Sequence, residues 1–390
     1  MLFRSDVNFL GAAKTLNVGA AQAAIAATEA QMGCADIACT IAGGATIQTF
    51  AANGLGSPAN GLLTTFVAPG NTFAFGGVDP SFGQIMLSDT IGRSVYNALQ
   101  IRLNQNIAHP FGGVKQLSWM ANYSLARFNS TAPDQDVVYA QNARDNQNPL
   151  RYFGPNSLDR THMLAFAGTF DLRGGLRVSM LTRVYSALAN TLSVPFQCSC
   201  PAEIFLTDLT GDGTGGDVLP GTNIGAFGRS VKVGDLNSTI NNFNSTDAGT
   251  LTPAGQALVS AGLFTQSQLQ QLGAVVPSIA KAPAGQVGID NFIADDLRIS
   301  YPFHVNRLWK RAGEEFVLEP TLDIFNVVNK ANFDPPPGFI TSPLRGVLDG
   351  SVGSANGTTY DQRANRYGLG TGVFSQGIPR AFEIGMRLSF

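Results

Sequence analysis

The chain has 390 residues, 44% of them hydrophobic but only 13% charged, where an ordinary soluble domain carries roughly 25% charged residues. Twenty-five basic and 27 acidic side chains give a formal net charge of −2 with no long block of one sign, which excludes an electrostatic footprint for nucleic acid. No apolar run approaches the roughly 20 residues of a spanning helix, while 44 glycines and 26 phenylalanines suit strands, turns and lipid-facing rings.

The first eleven residues, MLFRSDVNFLG, lack the basic start, apolar core and cleavage site of a secretory signal. Within them Phe3, Val7 and Phe9 alternate weakly with Arg4, Asp6 and Asn8, a short strand pattern. Residues 11–92 read as a long loop, and the alanine-rich stretch 20–32, interrupted by Gln22 and Glu29, as a small helix inside it. Cys34 and Cys39 lie close enough for a local disulfide, with two free thiols as the alternative. In Cys198-Ser-Cys200 a bridge would close a short strained ring, so that pair is expected to stay open.

From residue 96 onward the period changes to two. Leu99, Ile101, Leu103 and Ile107 alternate with Gln100, Arg102, Asn104 and Asn106. Leu117, Trp119, Ala121, Tyr123 and Leu125 follow, then Leu164, Phe166 and Phe170, then Val178, Met180 and Val184 against Arg177, Ser179 and Arg183. Leu297, Ile299, Tyr301 and Phe303 form a fifth run, and Phe316, Leu318, Leu322 and Ile324 oppose Glu315, Glu319, Thr321 and Asp323. Phe382, Ile384, Met386, Leu388 and Phe390 close the chain. Runs of ten residues or more exceed the five or six of a soluble sandwich strand and match a tilted strand crossing a bilayer. The polar set, including Arg102, Asn104, Arg177, Arg183, Glu315, Glu319 and Asp323, suits a wet lumen.

The connections alternate as well. Short turns around residues 110–113, 173–175 and 306–313 interleave with long loops at 11–92, 129–160, 187–290 and 329–378. Outer-membrane barrels make this distinction between periplasmic turns and extracellular loops. The expected fold is therefore all-β, an antiparallel transmembrane β-barrel segment of roughly eight long strands.

Several segments carry a family resemblance. IGRSVYNALQ (91–100), LDRTH (158–162), LTPAGQ (251–256) with LF (263–264), EPTLDIFNV (319–327) with ANF (331–333), and PRAF (379–382) with RLSF (387–390) resemble Oar-like TonB-dependent outer-membrane receptors. The resemblance implies a C-terminal part of a barrel of about 22 strands. It also implies a ligand caught by extracellular loops and imported across the outer membrane. A plug, a TonB-contacting segment and a signal peptide are missing from this sequence, so contact with the TonB complex would run through upstream parts. The closing alternation of Phe382, Ile384, Met386, Leu388 and Phe390 is similar to the signal read by the barrel-assembly machinery, and outer-membrane lipid is the implied surrounding.

Two loop motifs remain. Asp208, Thr210, Asp212 and Asp217 around Gly213 resemble the start of a calcium-binding loop, but Leu219 stands where the closing glutamate belongs. The favoured alternative is a polar turn whose aspartates cap their own backbone, and no other cofactor is indicated. Residues 252–272 read as a helical stretch, with Pro253 in its first turn and a capping box from Thr265 to Gln268. No phosphate loop, nucleophile elbow or paired zinc histidines occur, so an enzyme is not expected. The competing readings are a surface adhesin or structural barrel without transport, and a small passive porin.

Overall fold

A strand that alternates in polarity has two unlike faces, and pairing such strands in one register merges those faces into two continuous surfaces. The computed structural model describes residues 3–6, 8, 15–58, 73–79, 85–131, 141–142, 144–195, 197–198, 200–282, 291–304, 317–330, 332 and 380–389. The elements begin with β1 (Phe3–Asp6) and helices α1 (Val18–Met32), α2 (Ile37–Ala42) and α3 (Ile47–Ala52). Strands β2 (Met86–Asp89), β3 (Ser94–Ala108), β4 (Val114–Ser130), β5 (Gln141–Asn142), β6 (Gly154–Pro155), β7 (His162–Leu172) and β8 (Arg177–Tyr185) follow. Helices α4 (Leu236–Thr246), α5 (Pro253–Ser260) and α6 (Gln266–Gln271) precede β9 (Phe292–Ser300), β10 (Phe303–His304), β11 (Val317–Phe325) and β12 (Ala381–Ser389).

Seven strands of nine residues or more form one antiparallel sheet in the order β3, β4, β7, β8, β9, β11, β12. The two-residue β10 pairs Phe303 with Leu318 in the same register that pairs Ser300 with Thr321. It therefore continues β9 across Tyr301 and Pro302, where proline has no N–H to donate to a ladder. Two turns are tight: His109 (φ 53°) and Gly113 (φ 89°) bracket the first, and Gly174 (φ 103°) with Gly175 (φ 96°) makes the second. The left-handed conformations at 174 and 175 explain a pair of glycines there.

The register sorts the side chains. Leu99 faces Leu125, Ile101 faces Tyr123 and Leu103 faces Ala121. Tyr123 faces Leu164 and Ala121 faces Phe166; Phe170 then faces Val178, and Val178 faces Ile299. The row runs on through Leu322 to Ile384 and through Ile324 to Phe382. This apolar face is widely exposed, with Leu103 55%, Ile384 85% and Met386 71% accessible.

Two expectations change. The segment containing Phe3 joins β2 and β5 in a separate three-stranded sheet, so that run is not part of the main sheet, which has seven long strands among the described residues. Val7 and Phe9 lie outside the described residues, as do Glu315, Phe316 and Phe390. Among the described residues the long loops also carry six α-helices and two apolar cores, more helix than the expected stretches at 20–32 and 252–272.

Helix α1 illustrates why. Its alanines favour helix, the Asn17 side chain accepts from the Ala20 N–H at 3.0 Å, and Gly33 ends it at φ 67°. Residues 252–272 form two helices instead of one, because Gly262 turns left-handed (φ 71°) between α5 and α6. Thr252 caps α5, and Thr265 with Gln268 forms the expected capping box on α6. Ile25, Phe50 and Phe75 from the first loop pack with Phe205, Leu258 and Phe264 from the third in one core. A second core gathers Leu192, Leu219, Phe227, Ile240 and Phe243.

Candidate functional site

The polar face of the sheet is built from the alternate positions. Arg102 faces Asn122, Asn104 faces Met120, and the row continues through Thr169, Ser179, Arg298 and Asp323 to Glu383. Arg102, Asn104, Arg177, Arg183, Glu319 and Asp323 thus share one face, although the chain supplies them from three strands. Four ion pairs lace it. Arg177 Nε meets Asp171 Oδ1 at 2.7 Å and its Nη1 lies 3.9 Å from Glu319 Oε1. Arg183 Nη2 meets Asp296 at 3.1 Å, and Arg298 grips Asp323 through both Nε and Nη2. Ser300 donates to Glu319 at 2.7 Å. Fixed charge pairs of this kind keep the face hydrated and rigid.

Above the sheet, the aspartate turn is closed. Asp208 Oδ1 accepts the N–H groups of Gly211 (2.6 Å) and Asp212 (3.1 Å), and its Oδ2 accepts that of Gly213 (3.0 Å). Asp212 accepts from Thr214 N–H (2.8 Å), Thr214 hydroxyl (2.7 Å) and Asn146 N–H (2.6 Å). Asp217 Oδ2 accepts the N–H groups of Leu209 and Thr210, both at 2.7 Å. These three carboxylates are buried, and burial together with their mutual repulsion pushes Asp208 and Asp217 well above the ordinary aspartate range. Burial and the charge of Asp217 likewise push the Tyr152 phenol up to about 12. Carboxylate oxygens of Asp208, Asp212 and Asp217 thus hold backbone donors, while the Thr210 hydroxyl oxygen is buried with no hydrogen-bond partner among the described residues. Among the described residues, no group of three His, Cys, Asp or Glu side chains is arranged to hold a metal ion.

Both cysteine pairs are bridged, Cys34 with Cys39 and Cys198 with Cys200. The second bridge corrects the expectation of an open pair. The backbone there is held in place by Glu203, which accepts the Gln197 N–H (3.1 Å) and the Cys198 N–H (2.7 Å). Burial raises the Glu203 carboxyl, and the Thr207 hydroxyl bonded to it acts the other way.

Other anchors were not visible in the sequence reading. Arg229 donates through Nε to Asp159 at 2.7 Å and through Nη2 to the Asp159 and Ala187 carbonyls, tying residues 223–233 to the outer ends of β7 and β8. Gly225 (φ 62°) and Gly154 allow that strap to lie against β6, since a Cβ at 225 would stand 1.9 Å from the Pro155 carbonyl oxygen. An arginine distant in sequence from its carboxylate gives no local pattern; the glycines were the only available hint.

A long antiparallel sheet, apolar on one side and ion-paired on the other, with tight turns at one end and folded loops at the other, is the arrangement of a bilayer-spanning wall. A family model described as an outer membrane beta-barrel domain matches residues 42–366. The chain belongs to that family. Its place is the bacterial outer membrane, with the tight-turn end of the barrel periplasmic and the helical loops extracellular. No described helix is long and apolar enough to cross a membrane. No curated protein matches the chain in sequence.

Within the barrel, Phe382, Ile384, Met386 and Leu388 project from β12 onto the apolar face, 56–85% exposed. Arg102, Asn104, Arg177, Arg183, Glu319 and Asp323 take the opposite face, while Glu315 and Phe390 lie outside the described residues.

Proposed function

We propose that this barrel is the C-terminal wall of an Oar-like TonB-dependent receptor, which catches a ligand with its extracellular loops and passes it across the outer membrane. The observation that carries the reading is the sense of the two sheet edges. Seven antiparallel strands leave β3 and β12 running in the same direction, from the loop end to the turn end. Joined directly, they would pair in parallel, whereas outer-membrane barrels close antiparallel. Any strands between β11 and β12 come in even number, because the chain leaves β11 at the loop end and enters β12 there. Closure therefore takes further strands in odd number: a single one would complete a barrel of eight, and a larger number makes this sheet one wall of a larger barrel, the arrangement that the long folded loops favour.

The outer loops support a receptor role. Two loops far apart in sequence share a core, which gives a shaped surface rather than loose chain. On this reading the ion-paired face, with Arg102, Asn104, Arg177, Arg183, Glu319 and Asp323, lines the lumen. The apolar residues of β12 face lipid and present the signal taken by the assembly machinery. TonB contact belongs to parts outside this sequence, and the reading involves no enzymatic step.

Sequencing the genomic reading frame upstream of Met1 tests the proposal. A plug domain and a TonB-contacting segment in frame are the expected result. A stop codon just before Met1, with no plug encoded, would overturn it in favour of a barrel that adheres or conducts passively.

A further inference from the structure

We propose that a groove on the outward face of the barrel binds an anionic, phosphate-bearing lipid of the outer leaflet. The inference rests on the barrel family and not on the transport reading.

The groove encloses about 1410 Å³. Its floor is the outer end of β3 and β4, where Asn97 faces Arg127 and Leu99 faces Leu125. These positions continue the apolar row of Ile101, Tyr123 and Leu103, so the floor belongs to the face that a bilayer covers. Its roof is the strap of residues 223–233, which brings Arg229 and Lys232 over that floor. The height is fixed independently: the Tyr123 hydroxyl meets His162 Nδ1 at 2.8 Å on this face, next to the groove, and amphipathic rings settle at the headgroup level.

The charge balance selects the occupant. Arg229 is matched by Asp159, the acidic side chain of the lining. Lys232 is exposed and, among the described residues, its Nζ donates to the Gly228 carbonyl at 3.1 Å, while Asp235 turns its carboxylate to the Lys232 backbone N–H. Arg127 is exposed and makes no ion pair or hydrogen bond among the described residues. Two cations thus share the lining with exposed Leu99 and Leu125, Arg127 from the floor and Lys232 from the strap, at the boundary between hydrocarbon and water. Unpaired arginine at that depth is costly in front of a neutral lipid and favourable in front of a phosphate, which it can grip bidentately. The same floor gives acyl chains an apolar track running down β3 and β4.

The test places the full chain in phosphatidylcholine nanodiscs doped with phosphatidylglycerol and counts retained anionic lipid by native mass spectrometry. Arg127→Gln and Lys232→Gln are each expected to weaken retention about fivefold, and the double variant about 25-fold, since a cation near an anionic surface contributes roughly 1 kcal/mol. Arg127→Lys should keep most of the binding, and Arg102→Gln on the opposite face should leave it unchanged. Gel mobility before and after heating shows that each variant is folded. Equal retention by the wild type and the folded double variant overturns the proposal. So does equal retention of phosphatidylcholine, or full competition by millimolar inorganic phosphate, which would mark a phosphate site rather than a lipid site.

Discussion

Met180 and Leu181 stand side by side at the centre of the nine-residue β8, both apolar, yet on opposite faces of the sheet. Met180 faces Gly168 and Leu297 across the strands, whereas Leu181 faces Ala167 and Asp296. At about 3.4 Å per residue Leu181 lies some 14 Å from either end of the strand and Met180 about 10 and 17 Å from the two ends, so tilting leaves both near the bilayer midplane. An arginine forced into hydrocarbon at that depth costs about 2–4 kcal/mol, roughly 30- to 900-fold in the folding equilibrium. Met180→Arg should show that loss. Leu181→Arg should cost under about 1 kcal/mol, because the new guanidinium points into the wet face beside Asp296, which already pairs Arg183 at 3.1 Å. Urea titration of folding into phosphatidylcholine vesicles, followed by tryptophan fluorescence, measures both. Equal costs at the two positions, or a larger cost at 181, would refute the assignment of faces on which the account of the barrel depends.

The outer loops give three more expectations. Phe50 is fully buried and meets Phe264 edge-to-face at 5.4 Å, so Phe50→Ala should cost about 3–5 kcal/mol and accelerate hydrogen exchange in α5 as well as α3; acceleration in α3 alone would mean that the two loops do not share one cooperative core. The raised carboxyls of Asp208 and Asp217 bind protons more readily folded than unfolded, so the turn should gain stability as pH falls through their folded values, by at most about 1.4 kcal/mol per unit and proton, with the gain complete near the ordinary aspartate value of about 4. Protection at residues 208–217, measured against the intrinsic exchange rate at each pH, should therefore rise on acidification, and falling protection would contradict the burial. Millimolar calcium should leave that exchange unchanged at neutral pH, because the carboxylates already accept backbone donors; marked slowing would show a cation site there.

The barrel strands were legible because lipid and lumen impose a period of two over runs long enough to stand out. Arg177, Arg183, Glu319 and Asp323 could be assigned to one face from alternation alone, since strand register preserves it across the sheet. The segment holding Phe3 misled for the same reason: four residues of alternation suit any strand, and which sheet they join depends on partners 80 residues away. The loop domain was hidden more deeply. Helix caps at Thr252 and Thr265 are local and could be read, but the contact of Phe50 with Phe264 joins two loops that no periodicity connects. The aspartates show the limit from another side. Their spacing suits either a cation or the backbone, and only the directions of the N–H groups of residues 209–214 decide between the two.

The core shared by the first and third loops also constrains how the protein is made. Its two disulfides close spans of five and two residues within single loops, so neither ties one loop to the other. In the chain β3, β4, β7 and β8 separate the two loops, so in the inserted barrel Phe50 and Phe264 meet at the cell exterior across the ends of strands that lie in the bilayer. The joined loops are thus an exterior mark of strands in place. An antibody that recognises the joined loops but neither loop alone would count finished barrels on living cells and ignore those stalled midway through biogenesis.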